Sequence, residues 1–363
     1  MKIHNFSAGP SILEKNVIKK ASQSVLDINN SGLSILEISH RSQDFINIIE
    51  EAQQLVRELL NINNEYEILF LQGGASLQFY MSALNFSNKN SIAAYIDTGT
   101  WSKKAILESE KVGQTITLAS SKDKQYSYIP KVITTDQKID YLHFTSNNTI
   151  YGTQFHSFKE LIQIAKKNKA KLICDMSSDI FSRIINVSDF DLIYAGAQKN
   201  LGPAGATLVI IKKTAIQNNK ELPTYLNYKT HVDKKSMFNT PPVFSIYVAM
   251  LTLRWLKESG GIKNVEKRNQ EKAKLLYDEI DRNPLFFGMV NHEDRSNMNV
   301  TFNLKNDHHK PIFENMCQEG GIKGIHGHRS IGGYRASIYN ALDIESICFL
   351  NDIMKKLETK YND

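Results

Sequence analysis

From residue 67 to residue 211 the chain repeats one pattern: a short apolar run, a turn of small residues, then a segment with helical periodicity. Apolar runs at 67–71, 92–96, 115–118, 141–144, 171–174, 192–195 and 206–211 have strand length. Helical segments follow the turn at Gly73-Gly74 (through about residue 84), at 103–111 and at 161–168. Strands that alternate with helices are joined by right-handed crossovers, which build a mainly parallel sheet covered on both faces. The expected fold class is therefore α/β. In such sheets ligands gather at the carboxyl ends of the strands.

The flanks read differently. Residues 1–12 are extended around Gly9-Pro10, and Ser11 is placed to cap a helix running to about residue 29. A polar-ended segment, 34–41, precedes a helix in which Phe45, Ile48, Ile49, Ala52, Leu55, Val56, Leu59 and Leu60 recur at three- and four-residue spacing. After Pro241-Pro242 a long helix spans about 244–258, and past Gly260-Gly261 a more polar helix continues to about 281. Strands near Met289 and Val300, a helix at 312–318, a strand at 336–339 and a last helix after Asp343 make a smaller α+β unit. The expected division is 1–15, a segment packing with the small domain; 16–257, the large domain; and 258–363, the small one.

Composition narrows the function classes. The net charge of +6 is spread in pairs such as Lys19-Lys20 and Lys166-Lys167, with no long basic run. Nucleic acid is thereby excluded as the main partner, whereas small anionic substrates remain plausible. The three cysteines, Cys174, Cys317 and Cys348, have neither disulfide nor zinc spacing, as expected in a reducing compartment. No apolar leader core or membrane-length run is present, so the expected location is cytoplasmic.

Four clusters fall where strands end. Gly73-Gly74-Ala75-Ser76 opens a helix, and free N–H groups there suit a phosphate. Trp101 follows a strand in a turn and offers a flat face for an aromatic ring. Asp175 closes the 171–174 strand, where a buried carboxylate needs a cationic partner; alone it reads as a helix cap. Lys199 lies one strand onward in A-G-A-Q-K-N-L-G-P-A-G, among small residues that let a flat molecule approach the backbone. A lysine in a glycine-rich turn is most often solvated, but with a lowered pKa it can attack a carbonyl and form a Schiff base. An aspartate for a pyridinium nitrogen, a lysine for an imine and a helix N-terminus for a phosphate together describe pyridoxal phosphate.

Further blocks carry a resemblance along essentially the whole chain. They are N-F-S-A-G-P at 5–10, S-H-R at 39–41, Q-G-G-A-S at 72–76, D-T-G-T-W at 97–101 and N-N-T-I-Y-G at 147–152. D-M-S-S-D at 175–179, Y-A-G-A-Q-K-N-L-G-P-A-G at 194–205, M-F-N-T-P-P at 237–242 and G-H-R-S-I-G-G-Y-R-A-S-I-Y-N-A at 327–341 complete the set. With these the chain resembles the phosphoserine aminotransferases, class-V members of the fold-type-I pyridoxal-phosphate enzymes.

The resemblance implies roles. Lys199 would be the Schiff-base lysine and the base that moves the α-proton, and Asp175 would keep the pyridine nitrogen protonated. Trp101 would stack on the ring and Thr149 would bond its hydroxyl side. Ala75, Ser76 and Gln198 would hold the cofactor phosphate, with Asn239 and Thr240 reaching over from a second subunit of a homodimer. Substrate anions would fall to His40, Arg41, His328, Arg329 and Arg335, with Arg335 clamping the α-carboxylate. Some relatives carry a basic residue where this chain has Ser76, so anion recognition is expected to differ there. The implied reaction moves the amino group of glutamate to 3-phosphohydroxypyruvate, giving O-phosphoserine, and in bacterial relatives also yields 4-phosphohydroxythreonine for pyridoxine. Two rival readings are a cysteine desulfurase, which needs a mobile reactive cysteine, and a catalytically silent binding protein, against which intact Lys199 and Asp175 argue. No metal site is expected, because His326 and His328 lack further ligands at suitable spacing.

Overall fold

The computed structural model describes residues 2–87, 92–132, 134–135, 137–217 and 221–361. Strand β1 (His4–Asn5) leads into helices α1 (Lys15–Leu26) and α2 (Gln43–Leu59). Then follow β2 (Tyr66–Leu71), α3 (Gly74–Phe86), β3 (Ile92–Asp97), α4 (Thr100–Glu110), β4 (Gln114–Ser120), β5 (Ile139–Thr145), α5 (Lys159–Asn168) and β6 (Lys171–Asp175). The series continues with β7 (Leu192–Gly196), β8 (Thr207–Lys212), α6 (Tyr228–Asp233), α7 (Val243–Glu258) and α8 (Gly261–Arg282). It closes with β9 (Phe286–Gly288), β10 (Asn299–Leu304), α9 (Lys310–Glu319), β11 (Ile322–Lys323), β12 (Tyr334–Ser337) and α10 (Ile344–Tyr361).

The main sheet has seven strands in the order β2-β8-β7-β6-β5-β3-β4. All run one way except β8, which is antiparallel to β2 on one side and β7 on the other. The carboxyl ends of β2, β3, β5, β6 and β7 therefore share one edge, and every candidate turn from the sequence sits there. Helix α2 shows why an amphipathic segment settles where it does. The Ser42 hydroxyl accepts from the Phe45 amide at its start, and Phe45, Ile48, Ile49, Ala52, Leu55 and Val56 form one buried face against α7.

Two expected boundaries move for local reasons. The first helix begins at Lys15 and is capped by Glu14, whose carboxylate accepts from the Asn16 and Val17 amides at 2.7 and 3.1 Å. Ser11 does not cap it, because its amide donates to the Gln198 carbonyl at 3.0 Å and its hydroxyl to the Lys199 carbonyl. The helix expected from residue 103 starts at Thr100. The Ser102 hydroxyl accepts from the amides of Thr98 and Gly99 at 2.9 and 3.0 Å and pulls the turn into helical geometry, so Trp101 stands in the first helical turn.

The C-terminal elements form a separate three-stranded sheet, β12-β10-β9, over their own apolar cluster. Phe6 belongs to that cluster, and β1 pairs with β11 in parallel. Helix α8 serves both sides: Ile262 and Val265 are buried in the large core, Ala273, Leu276, Tyr277 and Ile280 in the C-terminal one. Among the described residues no helix is long and apolar enough to cross a membrane.

Candidate active site

The turn after β7 is built by its own backbone. Ala197 bonds Ala206 across the hairpin at 3.0 Å, and its carbonyl accepts from Leu201 and Gly202 at 3.2 and 2.8 Å. Gly205 needs its φ of +117°, and a Cβ there would stand 2.6 Å from the Ser245 hydroxyl. This frame holds Lys199 in a cavity of 330 Å³ at the carboxyl edge of the sheet. The Lys199 Nζ donates to the Thr149 hydroxyl at 2.7 Å and lies 5.2 Å from the centre of the Trp101 ring. Burial lowers the lysine from 10.5 to about 8, with Asp175 opposing that fall and Arg335 adding to it.

Asp175, 3% exposed at the end of β6, lines the same cavity. Burial raises its carboxyl above the usual value, against the pull of Lys199 and of two hydrogen bonds from Ser177. The Ser177 amide and hydroxyl donate to Asp175 Oδ1 at 3.0 and 2.6 Å, and the same hydroxyl accepts from the Gly196 amide at 3.0 Å. Ser177 thus ties the acid to the strand that leads to Lys199. The sequence reading gave Ser177 no role, although its position two residues after an aspartate is the spacing of an Asx turn.

Gly73, with φ +87°, caps α3 without any side-chain hydrogen bond, so the first amides of that helix stay open beside Gly74, Ala75 and Ser76 at the cavity wall. Gln198 and Trp101 line the cavity too, and the indole N–H finds no partner within the described chain. From the C-terminal sheet come Arg335, on β12, and His328 in the loop before it. Arg335 Nη1 reaches the Thr149 carbonyl at 3.4 Å while its Nε is buried without a partner. The His328 Nδ1 stands 2.7 Å from the Ser330 hydroxyl and 3.3 Å from the Ser330 amide, which ties the ring to its own loop. Burial, then Arg335, Arg329 and Lys104, hold its pKa below the ordinary value. Among the described lining residues Asp175 is the one carboxylate.

Other expected residues lie apart from this cavity. Arg329 is exposed, His40 half-buried and Arg41 exposed, and none lines it. Asn239 and Thr240 are exposed in the loop before α7, where the Thr240 carbonyl accepts from Gln72 at 2.7 Å. Ala8 and Gly9 line the cavity unforeseen, brought there by the Ser11 bonds. No cysteine does: Cys174 is buried in β6, Cys317 in α9, and Cys348 is exposed on α10. Among the described residues no cluster of metal-ligating side chains is found. A larger crevice of 690 Å³ lies between α5 and α8, but it is lined mainly by amides and scattered charges. It lacks the buried lysine and carboxylate, so the chemistry belongs to the smaller cavity.

The contents of that cavity fit pyridoxal phosphate: an acid for a ring nitrogen, an indole face, open helix amides for a phosphate and a partly deprotonated amine. Its volume falls at the small end of the ~300–1,000 Å³ usual for ligand pockets.

Residues 3–350 match the family model described as aminotransferase class-V. The chain belongs to that family. A phosphoserine aminotransferase of Flavobacterium psychrophilum is 54% identical over 362 residues, covering 99% of this chain and 100% of the relative. The same enzyme from Bacillus circulans subsp. alkalophilus has a solved structure with TM-score 0.94 and 41% identity, covering 99% of both chains. A phosphoserine aminotransferase of Trichomonas vaginalis solved with PLP bound has TM-score 0.90 and 34% identity, covering 98% of this class-V chain and 100% of its own.

Proposed function

We propose that this chain is a pyridoxal-phosphate-dependent phosphoserine aminotransferase, exchanging the amino group between glutamate and 3-phosphohydroxypyruvate. The observation that carries the reading is the charge imbalance of the cavity. Lys199 and Arg335 face a single carboxylate, with His328 beside them, and Arg335 keeps a buried Nε without a partner. A site so arranged favours a ligand that brings several negative charges, as a phosphorylated keto acid beside a phosphorylated cofactor does.

Bound pyridoxal phosphate supplies an aldehyde carbon for amine exchange and a protonated ring that accepts the electron pair released at the α-carbon. Asp175 faces the ring nitrogen in this reading and keeps it protonated. Lys199, neutral in part near pH 7, holds the cofactor and then carries the α-proton. Trp101 covers the ring, Thr149 fixes its hydroxyl side, and Ala75, Ser76 and Gln198 receive the phosphate. Arg335 takes the substrate α-carboxylate in its fork. His328 and Arg329, with His40 and Arg41, receive the substrate phosphate.

A homodimer is part of the proposal: the exposed loop at Asn239 and Thr240 reaches the cofactor of a neighbouring copy. We also keep the division into 1–15, 16–257 and 258–363, supported by the separate C-terminal apolar cluster that recruits Phe6. Three free thiols accord with the reducing cytoplasm. The test is to assay glutamate with 3-phosphohydroxypyruvate, with the four-carbon keto acid that yields 4-phosphohydroxythreonine, and with unphosphorylated hydroxypyruvate. Turnover confined to the phosphorylated acids is expected; equal turnover of hydroxypyruvate would overturn the substrate assignment.

A further inference from the structure

Positive charge continues outward from the cavity past the residues already discussed. Lys104 stands one helical turn after Trp101 on α4, and its Nζ lies 4.9 Å from the centre of the Trp101 ring. The Nζ of Lys199 lies 5.2 Å from that same centre, so one indole at the cavity wall carries two ammonium groups against it. Lys104 is exposed and makes no ion pair among the described residues, whereas Lys111, just past the end of the same helix, pairs with Glu108. Its charge also acts on His328, which lines the cavity.

The geometry points to Lys104, beside the indole that lines the cavity, as a specificity-determining residue that holds the substrate phosphate together with His328. The inference rests on the phosphoserine aminotransferase reading and adds a residue to it. A substrate with its carboxylate on Arg335 and its reacting carbon near Lys199 must direct its far end away from both. Ser76, at the cofactor end, contributes a hydroxyl and no charge. Beside the cations already assigned to the substrate phosphate, α4 supplies one more that no carboxylate among the described residues neutralises. The four-carbon stem of a lysine lets the ammonium swing from the indole face to a phosphate oxygen while the helix stays in place.

The experiment compares holoenzyme of the wild type, Lys104→Ala and Lys104→Arg, with KM and kcat measured for 3-phosphohydroxypyruvate and separately for glutamate. Loss of a charge-assisted contact predicts a rise of about tenfold in KM for the phosphorylated acid in Lys104→Ala, with recovery to within about threefold of wild type in Lys104→Arg. The KM for glutamate, whose γ-carboxylate brings one charge to the same end where the phosphate brings two, is expected to rise by no more than about threefold. A change below about twofold for the phosphorylated acid overturns the proposal. So does an equal rise for both substrates, which would mean a diffuse field rather than a phosphate contact. Failure of the wild type itself to use the phosphorylated acid would instead overturn the underlying functional reading.

Discussion

Replacing Asp175 by Asn should make Lys199 more reactive at neutral pH. Burial, joined by Arg335, brings Lys199 from 10.5 to about 8 against the opposing pull of Asp175, and the carboxylate of Asp175 is the main influence holding it from falling further. At about 8 roughly a tenth of the amine is neutral at pH 7, some three-hundredfold more than for an unperturbed lysine. A nearby opposite charge shifts an ionisable group by about 1–3 units, so removing that of Asp175 lowers the midpoint to about 7 or below. About half of Lys199 would then be neutral at pH 7, a gain of roughly fivefold in nucleophilic amine. The assay is carbamylation of the cofactor-free protein by cyanate between pH 6 and 10, with the modified lysine located by peptide mass spectrometry. The wild-type rate at Lys199 should rise through a midpoint near 8 and the Asp175→Asn midpoint should sit lower. A wild-type midpoint near 10.5, or one raised by the substitution, would refute the electrostatic account. The same shift bears on stability. The folded-state pKa lies below the unfolded one, so the folded protein binds fewer protons between about pH 8 and 10.5. Lys199 therefore adds stability as pH rises through that window and withholds it below.

Two further perturbations test the scaffold. Ser177→Ala removes the 2.6 Å donor to Asp175 and the partner of the Gly196 amide. It should cost about 2 kcal/mol and weaken cofactor retention by roughly thirtyfold in equilibrium dialysis; unchanged retention would refute the linking role. Gly152→Ala places a Cβ 2.6 Å from the Thr301 hydroxyl at a φ of +84°. Strain and overlap together should cost about 3 kcal/mol and lower the thermal midpoint by several degrees; a midpoint within a degree of wild type would contradict the rigid turn.

How legible these features are depends on how local their causes are. The faces of α2 and the buried strands follow from short-range periodicity, and Asp175 and Lys199 stand at strand ends that the alternation itself locates. The reversal of β8 is a hairpin consequence of the turn at 197–205, whereas the edge position of β2 depends on pairing across the sheet that no local pattern encodes. Ser11 was misread because its partner, the Lys199 carbonyl, lies far along the chain. Trp101 was placed in a turn because the hydroxyl of Ser102 starts α4 three residues early. Helix α8 reads as polar in sequence, yet it buries one end in each core, a split that averages out in composition. Arg41, His40, Asn239 and Thr240 carry motif signals but stand outside the cavity of this chain.

The central claim is that Lys199, sharing one buried cavity with Asp175, is where this class-V chain holds its cofactor. Purified protein incubated with pyridoxal phosphate, reduced with borohydride and digested should carry the phosphopyridoxyl mass on the peptide containing Lys199 and be bleached of its yellow colour. A label on a different lysine, or a protein that takes up no colour and no label, would contradict it.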